Sequence, residues 1–88
     1  MFNISDAIYA SKILNISFDK FTIYEFLDGM NVELEHGTIN SKTNVTNDDV
    51  IITAKIALAH LNGFPNYYNS YYGIKNFEKF LKRRMLGE

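Results

Sequence analysis

The sequence predicts an all-α fold, a compact bundle of about four helices with a long ordered loop between the second and third. Three observations carry this. Apolar residues recur mostly at helical spacing, and few windows alternate as strands do. Helix-starting residues stand ahead of the periodic segments. The composition is 47% hydrophobic and 15% aromatic, too rich for a disordered chain. At 88 residues the chain makes a single helical domain, 1–88, near the lower size limit for independent folding.

The first segment starts at Ser5 as N-cap, with Asp6 in the first turn, and runs to about Asn15. Ala7, Ala10 and Leu14 share a face. The second opens on a capping box, Thr22 with Glu25, followed by Ile23, Phe26, Leu27, Met30 and Leu34 as one apolar stripe. Gly37 is its expected stop, and Gly29 inside it suggests a close helix crossing. Residues 37–47, GTINSKTNVTN, are nearly all turn formers or hydroxyl carriers, able to satisfy their own backbone. The third helix is expected from Asp48 or Asp49 to Asn62–Gly63. VIITAKIALAHL is apolar around most of its circumference, so it is the expected central helix. Pro65 is expected to open a fourth helix over about 66–85, bent near Gly73, with Ile74, Phe77, Leu81 and Met85 as its stripe.

Composition excludes several functions. There is no cysteine, which removes disulfides, thiolate zinc sites, iron–sulfur clusters and a cysteine nucleophile. A net charge of −1 argues against a globally basic nucleic-acid binder. The N-terminus lacks a signal peptide's basic and apolar regions, and no apolar run is long enough to span a bilayer. An intracellular, non-secreted protein without membrane contact is therefore expected. Charge is segregated: Glu25, Asp28, Glu33 and Glu35 make the second helix acidic, whereas residues 75–84 carry five basic side chains against Glu78.

The runs GMNVELEHG, TNVTNDD and AKIALAHLNGFPNYY resemble a small uncharacterised domain-of-unknown-function family of bacteria, phages and large viruses. The resemblance covers about residues 29–68. It implies kinship, no particular activity, and an accessory role related to a phage or virus, including one associated with the virion. Two positions depart from the family pattern: Gly63 stands where a glutamate is usual, and Val50 where a proline commonly follows the Asp pair.

Three groups of residues are candidates for function. Glu33 and His36 form an E-x-x-H spacing, which places both on one side of a helix. Di-iron bundles use that motif twice. Here a second copy is missing, because Ala57 stands three residues before His60 and Gly63 three after it. A mononuclear metal site from Glu33, Glu35, His36 and His60 is one alternative. Asp49 cannot join His60 in it, since on one helix the two lie about 16 Å apart. The preferred reading of the same stretch is a structural polar network of Glu33, Glu35, His36, Thr43, Asn44, Thr46, Asp48, Asp49 and His60 that pins the loop. A half-buried Glu33 needs such partners. Acid/base catalysis would use the same groups. With no phosphate loop, nucleophile motif or cofactor fingerprint, neither an enzyme nor a bound cofactor is expected. The third group is a surface of Tyr67, Tyr68, Tyr71, Tyr72, Lys75, Lys79, Lys82 and Arg83. It suits a protein partner or self-association. Stacking tyrosines beside cations also suit nucleic acid. The function expected is a non-enzymatic interaction or structural module, with metal or small-ligand binding and nucleic-acid contact as alternatives.

Overall fold

A computed structural model describes residues 1–87. Four helices follow in order: α1 (Ile4–Ile13), α2 (Ile23–Val32), α3 (Val50–Gly63) and α4 (Ile74–Met85), with one 3-10 turn, Glu33–His36, directly after α2. No strand occurs among the described residues. The bundle itself is α1, α2 and α3, each packed on the other two; α4 packs along none of them and reaches the core only through Ile74 at its start.

Local chemistry sets each start. The N-cap of α1 is Asn3, two residues before the expected Ser5. Its Oδ1 accepts from Asp6 N at 3.1 Å while Asp6 Oδ2 accepts from Asn3 N at 2.9 Å. The helix stops at Ile13, short of Asn15, which adopts a left-handed φ of 54°. The Thr22–Glu25 box forms as predicted, with bonds of 3.1 and 3.0 Å. Asp49 caps α3 by accepting from Ile52 N at 2.9 Å.

The core depends on small residues meeting large ones. Ala7 and Ala10 of α1 and Ala54 and Ala57 of α3 are fully buried, and Phe26 and Met30 of α2 fill the space between, closed by Leu61 and Phe21. Phe18 sets its ring edge-on to both Phe21 and Phe26, centroids 5.8 Å apart in each pair. Removing a side chain such as Phe26 would cost about 3–5 kcal/mol.

The loop after the 3-10 turn is held by its own polar groups. Val45 N and Thr46 N both donate to His36 O, at 2.7 and 3.2 Å. Asp48, in a left-handed conformation at φ 59°, accepts from Thr38 N at 2.9 Å and from the Thr38 hydroxyl. Gly37 is not a left-handed helix stop: its φ is −104°, and a Cβ there would overlap Asp48 Oδ1. Glycine is required at this position for space.

The expected helix from 66 to 85 is shorter at its start. Residues 65–72 form consecutive turns, and Asn69 Oδ1 accepts from Tyr71 N and Tyr72 N at 2.8 and 3.1 Å. Gly73 is the N-cap of α4, at extended φ, and its neighbouring space is closed by the carbonyls of Asn66, Tyr67 and Asn69. Pro65 therefore opens a turn, not a helix. The stripe Ile74, Phe77, Leu81 and Met85 also departs from expectation. Only Ile74 packs against the core, and no residue of α4 is buried.

Candidate functional site: a buried glutamate and its histidines

The C-terminal end of α2 tightens into the 3-10 turn. Three residues per turn eclipse positions i and i+3. Glu33 and His36 are thereby set one above the other, with Glu35 beside them. Glu33 faces inward and is 2% exposed, an unusual place for a carboxylate.

Its partners come from distant parts of the chain. Tyr68, in the turns after α3, donates its hydroxyl to Glu33 Oε2. His60, in the last turn of α3, places Nδ1 3.0 Å from the same oxygen and 2.9 Å from Tyr68 Oη. The Tyr68 proton is engaged with Glu33, so both neighbours of His60 Nδ1 are acceptors, and Nδ1 must carry the ring proton. Burial, reinforced by the hydrogen bond to Glu33 and its charge, pushes the Tyr68 phenol far above its usual pKa. It remains a donor. Tyr67 stacks on the His60 ring, centroids 4.2 Å apart and planes 19° from parallel, and burial also raises its pKa.

Gly29 serves this arrangement. A Cβ at Gly29 would lie 2.5 Å from Tyr68 Cε2 and 2.7 Å from Cδ2. The glycine gives passage to the Tyr68 ring; the close approach is by an aromatic side chain, not the helix crossing suggested by the sequence.

Both protein donors fall on Oε2. The other oxygen, Oε1, is buried and accepts no hydrogen bond. His36 Nε2 approaches it to 3.4 Å, and stands 3.3 Å from Glu35 Oε1. These groups line a shallow pocket of about 250 Å³ together with His60, Tyr67 and Glu78 of α4.

The candidate residues thus fall into separate places. Glu33, Glu35, His36 and His60 converge. Thr46, Asp48 and Asp49 form a different network with Thr38 and Thr53, joined to the first through the His36 carbonyl. The Thr38 hydroxyl and amide hold the Asp48 carboxyl below its usual range. Thr43 bonds only Asn40 O, and Asn44 only Asn47, both on the exposed side. Of the surface group, Tyr71, Tyr72, Lys75, Lys79, Lys82 and Arg83 are exposed. Tyr68 is a correction: expected on the surface, it is buried, because the segment holding it turns back onto α2. The sequence pattern places neither its pairing with Glu33 nor the approach of Glu78 to the pocket. The one local signal for Tyr68 was Gly29, a glycine inside a strong helix pattern with no local reason to be there.

A family model described as a protein of unknown function, DUF5661, matches residues 7–78. The chain belongs to the DUF5661 family. No curated protein and no solved structure matches the chain. The DUF5661 match covers the three-helix bundle apart from the first three residues of α1, together with every residue of the Glu33 pocket; residues 79–85 of α4 lie beyond it. No helix among the described residues is long and apolar enough to cross a membrane.

Proposed function

We propose that this chain is a non-enzymatic interaction module that docks through its C-terminal helix, and that its occupant is a second copy of itself. One observation carries the reading: α4 is amphipathic, yet none of its residues is buried. Phe77, Phe80, Leu81 and Met85 are exposed, Phe77 at 54%. A helix in water gains most of its stability from packing an apolar face. Beyond Ile74, this one has no such packing within its own chain. The face runs into an apolar groove formed by Phe64, Pro65, Tyr67, Tyr72, Ile74 and Phe77. Contiguous apolar surface of this kind marks interaction sites.

Charge favours a second copy. No lysine or arginine is ion-paired among the described residues, whose ion pairs all join histidine to glutamate. Across copies, the basic face of α4 meets its complement in the exposed Asp28 and Glu35 of the acidic stretch. Tyr24, also exposed and one turn before Asp28, adds an aromatic anchor there. The resemblance noted in the sequence supports reading such a module as an accessory protein of a cell or a virus particle.

Sedimentation equilibrium over a wide concentration range tests this. The wild type is expected to dimerise reversibly. Phe77→Ser with Leu81→Ser is expected to remain monomeric with an unchanged core melt. A wild type that stays monomeric at every concentration overturns self-association; if it then binds duplex DNA with a steep salt dependence, the basic face is a nucleic-acid surface instead.

A further inference from the structure

We infer that Glu33, Glu35 and His36 form a binding site for a divalent first-row transition-metal ion of the zinc class. The two oxygens of Glu33 are treated differently. Oε2 receives both Tyr68 and His60, whereas Oε1, equally enclosed, receives no hydrogen bond. His36 Nε2 stands 3.4 Å from it without forming a hydrogen bond, and a buried carboxylate oxygen that no hydrogen bond satisfies is costly. It faces a pocket whose other walls supply a histidine nitrogen and a second carboxylate. A cation there satisfies it.

Spacing supports the assignment. Ligand atoms about 2.0–2.1 Å from a tetrahedral zinc ion lie about 3.3–3.4 Å from one another. His36 Nε2 stands 3.4 Å from Glu33 Oε1 and 3.3 Å from Glu35 Oε1, and the three ligand atoms all fall within 4.8 Å of each other. The 3-10 turn imposes this, because it stacks Glu33 on His36 and keeps Glu35 adjacent. The donor set selects the ion. An imidazole with two carboxylates suits zinc and its first-row neighbours, whereas magnesium and calcium prefer all-oxygen surroundings. His60 and Tyr68 act behind the site: by holding Oε2, they fix the carboxylate so that Oε1 faces the pocket, as outer-shell partners of metal ligands do. Glu78 of α4 adds negative charge on the pocket's far side. Three protein ligands leave a position open for water or for a group carried by another molecule.

The test is a titration of the purified, untagged chain with Co²⁺ as a coloured stand-in for zinc, followed by displacement with Zn²⁺. One equivalent of Co²⁺ is expected to bind with visible absorption, and Zn²⁺ to displace it. His36→Ala and Glu35→Gln alter solvent-accessible side chains and keep the fold, which a circular-dichroism melt verifies. Each is expected to weaken binding by more than about tenfold, the loss that even outer-shell changes cause. Absence of stoichiometric binding overturns the inference, as does binding that both variants leave intact. The titration is separated from self-association by running it in the Phe77→Ser with Leu81→Ser background, which alters no ligand; there Glu35, which also lies on the acidic face, reports on the metal alone.

Discussion

Replacing Tyr68 with phenylalanine isolates the buried contact at the centre of the site. The change removes one hydroxyl and leaves the ring in place against Gly29, so no cavity of consequence opens. What is lost is the donor to Glu33 Oε2. A hydrogen bond to a charged group contributes about 1.5–3 kcal/mol. His60 Nδ1 remains 3.0 Å from the same oxygen, so the carboxylate keeps one donor and the loss belongs at the lower end, about 2 kcal/mol. For a domain of this size, each kcal/mol shifts the melting point by about 4–8 °C, which predicts a fall of about 8–16 °C. Urea and thermal unfolding followed by far-ultraviolet circular dichroism measure both quantities. A Glu33→Gln partner variant completes a double-mutant cycle, in which the Tyr68–Glu33 coupling should exceed about 0.5 kcal/mol. If Tyr68→Phe unfolds within about 0.5 kcal/mol of wild type, the ordinary scatter for changes that touch nothing important, the buried pair is not what holds this end of the bundle.

Three further outcomes follow from the same structure. His60→Ala, which strips the second donor from Glu33 and the stacking partner from Tyr67, should cost about 1–3 kcal/mol in urea unfolding; an unchanged midpoint contradicts a structural role. Gly29→Ala would ordinarily stabilise a helix interior by about 0.5–1 kcal/mol. Here displacement of the Tyr68 ring costs about 1–3 kcal/mol, so a net loss is expected, and a stabilised variant would show that the ring does not fill that space. Asp48 has a lowered folded pKa, so its contribution is full above the unfolded carboxyl value near 4 and is lost as pH falls through the folded value. Urea midpoints measured down an acid series should decline below about pH 4 in wild type and decline less in Asp48→Asn; parallel curves would remove Asp48 from the acid response.

The parts of this fold legible in the sequence are those fixed by neighbours within one turn. The Thr22–Glu25 box, the start of the third helix at the Asp48–Asp49 pair and the stripe of Phe26 and Met30 need only local spacing, and all appear where the residues placed them; the structure makes Asp49 the cap. The first cap was misplaced by two residues because Asn3 with Asp6 forms as good a box as any serine, and the reciprocal bond decides between them. The expected fourth helix, from about 66, is eight residues longer at its start than α4. Proline favours a first helical turn, but Asn69 offers its side chain to two backbone amides and closes a turn instead. The candidate site was half legible. Its acids and histidines were identified by type and spacing. The tyrosine that organises them lies 35 residues from Glu33, and the one local trace of the pairing, Gly29, does not say which residue fills its space.

Self-association through opposite faces is tested most directly by exchanging charges and mixing. Lys79→Glu with Arg83→Glu reverses two charges on α4, and Asp28→Lys with Glu35→Lys reverses the acidic face. Each double variant is prepared with chelator present and examined alone and as an equimolar mixture by sedimentation equilibrium. The account predicts that each variant alone is monomeric, by like-charge repulsion, and that the mixture forms a heterodimer whose affinity falls with added salt. Homodimers that persist in both variants, or a mixture that stays monomeric while the wild type dimerises, would contradict it.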